Sequence, residues 1–99
     1  MARVLLVGSH PEITRYVADR LRAEGWEVDD VVGPDAGLRA IDQLPEVDAL
    51  IVGGPDAWQA RGQLTARLRA RHPWAPVIYP TSPDGIGDQL RQAFGGDAQ

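Results

Sequence analysis

The chain has 99 residues, 43% of them hydrophobic and 24% charged, proportions that exclude a disordered chain and a fibrous repeat. A formal net charge of −4 disfavours nucleic acid as a partner, because the electrostatic field of the whole protein opposes an approach to phosphates. The sequence contains neither cysteine nor lysine, which excludes disulfides, thiolate nucleophiles and any mechanism that needs a side-chain amine.

Apolar runs are short throughout the chain. None approaches the roughly 20 residues that a membrane-spanning helix needs, and the run at 4–7 is too short for the core of a signal peptide. These features predict a cytoplasmic protein without a membrane partner. At this length we expect one domain over residues 1–94 and a flexible tail over residues 95–99.

The first third of the chain predicts a strand, a helix and a second strand. The apolar run at 4–7 is typical of a strand buried on both faces of a parallel sheet. A helix follows, because Ser9 stands three residues before Glu12 in the spacing of a capping box and apolar residues then recur at helical spacing. Gly25 suits the left-handed position that ends a helix, and residues 27–32 resume an extended pattern.

The remaining residues continue the alternation. The predicted elements are a helix at 35–44 ended by Pro45, a strand at 48–52, a helix at 57–72, a strand at 76–80 and a helix at 86–94. Prolines cannot donate to a ladder, so the strand at 76–80, which prolines bracket, is expected at a sheet edge.

Four strand-helix units with short connections predict an α/β fold. We expect a flavodoxin-like three-layer sandwich with a parallel sheet of about four strands in the order 2-1-3-4. The chain then reverses direction between strands one and three, so a crevice is expected over their carboxyl ends. The candidate ligand-binding residues there are Gly8, Ser9, His10, Gly53, Gly54, Asp56, Thr81 and Ser82.

Three segments resemble the response-regulator receiver family, whose flavodoxin-like domains accept phosphoryl groups from histidine kinases. They read RVLLVGSHPEITRYVADRLRAEGWEV, DALIVGGPD and PVIYPTS. In that family two acidic residues after the first strand hold Mg²⁺, an aspartate ending the third strand takes the phosphoryl group, and a lysine contacts it. Mg²⁺ prefers hard oxygen ligands, and phosphoryl transfer depends on positioning and charge neutralisation.

The positions that carry receiver chemistry read differently in this chain. Gly8 and Ser9 stand at the acidic pair, Gly53 stands at the aspartate, and no lysine exists. Of the family's set, only a hydroxyl residue after the fourth strand remains, at Thr81 or Ser82. The chain is also one strand-helix unit shorter than an ordinary receiver. The resemblance therefore implies a degenerate pseudo-receiver that is not an enzyme and has no metal or cofactor.

The crevice residues also have plainer interpretations. The Gly8–His10 turn could cradle an anion on helix N–H groups, or simply cap the helix. Asp56 could accept a phosphoryl group, or stabilise the first turn of its helix. A triad of Ser9, His10 and Asp56 is disfavoured because adjacent residues are poorly placed for an in-line hydrogen bond. His10 and His72 show no metal-ligand spacing, and both are expected to be exposed to solvent.

A protein-contact surface is expected on the third predicted helix and its flanks. Tryptophan and arginine are enriched at binding hot spots, although the arginines could equally form a solvated helix end. The candidate interface residues are Trp58, Arg61, Arg67, Arg71, Trp74 and Tyr79. We predict a protein partner or a homodimer, formed through the edge of strand four or the surface of helix three.

Two functional hypotheses follow from these patterns. The first is a pseudo-receiver that acts in signalling or regulation as a protein-interaction or self-association module and is not phosphorylated on aspartate. The alternative is a small ligand- or anion-binding domain, or an enzyme, that uses the crevice. The architecture also resembles the phosphocarrier domains of sugar transport systems, but their nucleophilic cysteine is missing here. A scaffold without a biological task is a third possibility.

Overall fold

The computed structural model describes residues 2–80 and 82–94. Thr81 and the predicted tail at 95–99 lie outside the described residues. The elements are β1 Arg3–Gly8, α1 Pro11–Ala23, β2 Glu27–Val32, α2 Pro34–Gln43, β3 Ala49–Val52, α3 Pro55–Gln59, α4 Arg61–Arg71, β4 Val77–Ile78, a short 3₁₀ turn Pro83–Gly85 and α5 Ile86–Ala93.

All four strands pair in parallel, in the order β2-β1-β3-β4. This confirms the predicted strand order and the α/β class. The central strand β1 shows why both faces of the sheet are covered. Val4 and Leu6 enter a core with α1 and α5, whereas Leu5 and Val7 enter a second core with α2, α3 and α4. Because successive strand residues point to opposite faces, one apolar run serves both layers of helices.

The end of α1 forms as the sequence predicts. Gly25 adopts a φ of 99°, which favours glycine, and its N–H donates to the carbonyl of Arg22. The next N–H, from Trp26, donates to the carbonyl of Leu21 at 3.1 Å. These two bonds satisfy carbonyls that the helix end would otherwise leave unpaired, and they turn the chain directly into β2.

The third predicted helix differs from the structure. Instead of one helix over 57–72, the chain forms α3 and α4, which meet at Ala60. Ala60 has φ −94° and ψ 9°, outside the helical range, so the two axes are not continuous. The helical segment also begins two residues early, because Gly54 with φ 85° makes the turn and Pro55 suits the first helical position.

Strand β4 is shorter than predicted and lies at the sheet edge, as expected. Only Val77 and Ile78 pair regularly with β3, and the carbonyl of Pro76 accepts the N–H of Leu50 at 3.0 Å. Prolines at 76 and 80 limit the strand because neither can donate an N–H to a ladder. Over residues 2–80 and 82–94, no helix has the length and apolar character needed to cross a membrane.

Candidate functional site

A cavity of about 200 Å³ lies over the carboxyl ends of β1 and β3, where the crevice was predicted. Six of the eight candidate ligand-binding residues lie in this region: Gly8, Ser9, His10, Gly53, Gly54 and Ser82. Thr81 lies outside the described residues, and Asp56 is not among the lining residues. The rest of the lining is mainly apolar: Leu6, Ile13, Thr14, Val17, Pro80 and Ile86. The cavity therefore combines the polar crevice residues with a largely apolar wall.

Ser9 does not cap α1, contrary to the capping-box prediction. His10 is the N-cap residue, in an extended conformation and without a side-chain cap bond. The Ser9 hydroxyl instead points across the crevice, where it donates to the carbonyl of Gly53 at 3.1 Å and accepts the N–H of Ala57 at 3.2 Å. Ala57 lies in the first turn of α3, so Ser9 caps α3 rather than its own helix.

Thr14 fills the space beside Gly8. A Cβ placed on Gly8 would lie 1.9 Å from Oγ1 of Thr14, a distance that no side chain tolerates. The Thr14 hydroxyl donates to the carbonyl of His10 at 2.7 Å, and the residue is almost completely buried. Thr14 is not among the site residues predicted from the sequence. Its position on the same helical face as Val17 and Leu21 was the available signal.

Two glycines at the end of β3 differ in the space around them. A Cβ on Gly53 would meet nothing closer than the carbonyl oxygen of Val7, at 3.9 Å. At Gly54 the backbone has φ 85°, and a Cβ would lie 2.5 Å from the hydroxyl of Ser9. Gly54 is thus required by conformation and contact, whereas Gly53 leaves room for a side chain.

Asp56 lies outside the cavity. It occupies the first turn of α3 and lines a separate depression together with Asp35 and Gln59. Since the Ser9 hydroxyl is hydrogen-bonded to backbone groups, the structure does not bring the triad of Ser9, His10 and Asp56 together. Over residues 2–80 and 82–94, no three His, Asp or Glu side chains gather as metal ligands.

Three of the six candidate interface residues form one exposed cluster at the β4 edge. The rings of Trp58 and Tyr79 meet edge to face, with centroids 5.1 Å apart. The guanidinium carbon of Arg61 lies 4.1 Å from the centre of the Trp58 ring, and Nη1 of Arg61 donates to the Trp58 carbonyl at 2.8 Å. This arrangement combines a cation–π contact with a hydrogen bond, so the three side chains hold one another in place.

The other interface candidates lie elsewhere on α4 and beyond its end. Arg67 and Arg71 both bind the carboxylate of Asp42 on α2, so their charges stabilise helix packing. Trp74 is 62% exposed and stands edge to face with His72. The structure therefore brings Trp58, Arg61 and Tyr79 together. The other three candidates lie outside this cluster.

His72 is buried, and the expectation that both histidines are exposed is wrong for this residue. Its side chain lies 3.0 Å through Nε2 from the carbonyl of Ile41, which can only accept, so Nε2 carries the proton. The helix ends at Arg71, and the turn that follows directs the ring inward against α2. His10 is exposed, as predicted.

An ionic contact ties α1 to the segment before α5. Arg20 binds Asp84 at 3.0 Å and donates to the hydroxyl of Tyr16 at 3.1 Å. The hydrogen bond to Tyr16, followed by the charge of Asp84, raises the pKa of Arg20 above its usual value. Arginine is already protonated at physiological pH, so this contact contributes positioning and not a pH-dependent change.

Comparisons with known proteins give two kinds of similarity. No family model matches the chain. Two curated relatives from Mycobacterium tuberculosis are the transcriptional regulatory protein TrcR, 30% identical over 89% of this chain and 34% of its own length, and TcrA, 30% identical over 95% of this chain and 37% of its own length. The probable transcriptional regulatory protein TcrX of the same organism is 32% identical, over 88% of this chain and 37% of its own length. The chain thus spans about a third of the length of these relatives.

A solved receiver domain has the same fold as this chain. A crystal structure of the receiver domain from the hybrid histidine kinase CckA matches with a TM-score of 0.65 and 19% sequence identity, and the match covers 93% of this chain and 98% of that domain. At this level of identity the match shows that the two chains share a fold. The chain therefore has the fold of a receiver domain, and its sequence is similar to part of these transcriptional regulators.

Proposed function

We propose that the chain is a pseudo-receiver: it is not phosphorylated on aspartate, and it acts in signalling by binding another protein or a second copy of itself. One observation carries the proposal. Glycines occupy the carboxyl ends of β1 and β3, at Gly8 and Gly53, and the Thr14 side chain fills the space beside Gly8. The positions that would hold a metal and a phosphoryl group therefore offer no carboxylate.

The chemistry of phosphoryl transfer explains why the missing carboxylates support the proposal. The reaction needs a divalent cation to neutralise developing charge, and Mg²⁺ is held by oxygen ligands in near-octahedral geometry. The Ser9 hydroxyl, which stands at the second acidic position of the family, is hydrogen-bonded to Gly53 and Ala57. Without lysine, the chain also has no side-chain ammonium group to contact a phosphoryl oxygen.

The packing around the former acidic positions also supports the proposal. An aspartate at Gly8 would overlap Thr14. Restoring the acidic pair would therefore also require a change at Thr14. The named relatives are transcriptional regulators, so we propose that the protein contact made by this chain serves a regulatory role.

Phosphoryl donors test the proposal directly. The chain is incubated with MgCl₂ and acetyl phosphate and its intact mass is measured, beside a receiver domain that retains all its acidic residues. We expect the mass of this chain to stay unchanged while the control gains a phosphoryl group, since the chain lacks ligands for the cation. Asp56→Ala is the matched variant, because Asp56 is the carboxylate nearest in sequence to the missing acceptor. A stable phosphoryl adduct on the wild-type chain would overturn the proposal, and its loss in Asp56→Ala would identify the acceptor.

A further inference from the structure

We propose that the chain forms a homodimer through the two sides of α3 and the first turn of α4, with Arg61 of one copy bound between Asp35 and Asp56 of the other. The inference rests on the proposed function, because it names the partner and the surface of the protein contact. The inference is based on two surfaces of opposite charge. Each consists of side chains that are already positioned in the single chain.

The first surface, called the aromatic flank, consists of Trp58, Arg61 and Tyr79. Trp58 is 46% exposed and Tyr79 is 38% exposed, although both are large and largely apolar. Their mutual contacts, and the Arg61 guanidinium over the Trp58 ring, fix the three side chains before any partner arrives. Binding then costs little additional side-chain entropy, and these residue types dominate measured binding hot spots.

The second surface, called the acidic flank, consists of Asp35 and Asp56 with the neighbouring Gln59 and Gln63. These residues line an open depression between the start of α2 and α3. The acidic flank lies on the side of the helix that faces α2, while the aromatic flank lies on the side that faces β4. The α3–α4 segment therefore presents the Arg61 cation on one side and Asp56 on the other, where Asp35 of α2 lies beside Asp56.

The charges on both flanks have no ion-pair partner over residues 2–80 and 82–94. Arg20, Arg67 and Arg71 each bind a carboxylate within the chain. Arg61, Asp35 and Asp56 form no such pair in the same region, although all three are exposed. The unpaired cation of the aromatic flank and the unpaired carboxylates of the acidic flank are complementary to each other in a second copy.

A twofold axis that runs along the α3–α4 segment satisfies both surfaces at once. Rotation about such an axis places the aromatic flank of each copy against the acidic flank of the other, so the contact occurs twice and closes. Gly62 lines the same depression as the acidic flank, on the exposed side of α4, and nothing lies within 4 Å of the position that its Cβ would take. The two helices can therefore approach closely there, with Trp58 covered by the partner.

Charge reversal tests the pairing. Sedimentation equilibrium over a wide concentration range is expected to show a dimer for the wild-type chain. Arg61→Asp and Asp56→Arg alone should each weaken the dimer by about tenfold or more, because every copy loses its cross-chain pair. The double variant with both changes restores opposite charges across the contact and should recover most of the affinity. Arg15→Asp, an exposed arginine on α1, makes the same charge change outside the contact and should leave the affinity unchanged.

Two results would overturn the inference: a wild-type chain that stays monomeric at the highest concentration, or a dimer whose affinity is the same in all the α3 and α4 variants. Circular dichroism of each variant confirms that the exposed substitutions leave the fold intact. Failure here is distinct from failure of the proposed function, because a monomer that resists acetyl phosphate removes the dimer and leaves the pseudo-receiver standing.

Discussion

Two hydroxyl side chains, Ser9 and Thr14, organise the crevice. Each donates a hydrogen bond to a backbone carbonyl, at 3.1 Å from Ser9 to Gly53 and at 2.7 Å from Thr14 to His10. Each also occupies the space that a side chain on a nearby glycine would need. In receivers this crevice holds acidic residues. Here it is lined by short neutral side chains whose hydroxyl groups have their own hydrogen-bond partners.

Ser9→Ala is expected to lower the free energy of unfolding by about 1 kcal/mol. The change removes the cap on the first turn of α3 and leaves the N–H of Ala57 without its acceptor. Urea unfolding followed by circular dichroism measures the effect.

Glu12→Ala is the matched control, because Glu12 would be the reciprocal partner of Ser9 if a capping box formed. Glu12 is exposed and Ser9 does not cap α1, so this variant should change the unfolding free energy by less than about 0.5 kcal/mol. A large loss in Glu12→Ala together with no loss in Ser9→Ala would favour the capping box over the bond across the crevice.

Helix packing on the second core explains why glycine is required at one helical position and not at another. Gly37 in α2 is buried, and a Cβ there would lie 2.9 Å from Cγ2 of Val7 and 3.0 Å from Cδ2 of Leu64. Gly62 in α4 is exposed and would meet nothing within 4 Å. The first glycine allows α2 to approach β1 and α4, whereas the second only costs helix propensity within a single chain.

The two glycines should respond to alanine in opposite directions. Gly62→Ala is expected to raise the free energy of unfolding by about 0.5–1 kcal/mol, since alanine loses less backbone entropy in a helix. Gly37→Ala should lower it by about 1–3 kcal/mol, because the added methyl overlaps packed side chains. Thermal and urea unfolding at low protein concentration check both values. Equal effects of the two substitutions would contradict the packing described here.

The whole molecule distributes its stability over two cores on a sheet of four strands. Strands β1 and β3 consist almost entirely of buried residues, whereas β2 carries carboxylates that pair with arginines of β1 and α1. The net charge is −4, but among residues 2–80 and 82–94 no Asp or Glu lines the cavity over the carboxyl ends of β1 and β3. We therefore expect no favoured position for a divalent cation at the crevice.

Magnesium should leave the stability of the folded chain unchanged. An ion that binds only the folded state raises the melting temperature by mass action. A receiver that retains its acidic residues should therefore have a higher melting temperature in millimolar MgCl₂. For this chain we expect no rise beyond that in NaCl of equal ionic strength. Scanning calorimetry of both proteins in both salts measures the difference, and a rise specific to magnesium would contradict the proposed loss of the metal site.

The sequence by itself determined the order of elements and the strand order of the sheet. Residues 27–32 were predicted as a strand and form β2 with the same bounds, and Gly25 ends α1 as expected. These features depend on local rules: short apolar runs, helical spacing, and the backbone preferences of glycine and proline. The position of the crevice followed from the strand order, since the carboxyl ends of β1 and β3 must meet there.

Only the tertiary structure decided which side chains contact one another. Ser9 is hydrogen-bonded to groups 44 and 48 positions away, and His72 binds a carbonyl 31 positions away. Trp58 of α3 contacts Tyr79, which follows β4. Sequence spacing cannot fix such pairs, because the partners are far apart in the chain and meet only when the sheet and its helices assemble. His10 rather than Ser9 is the N-cap of α1, and the Ser9 hydroxyl bonds across the crevice instead.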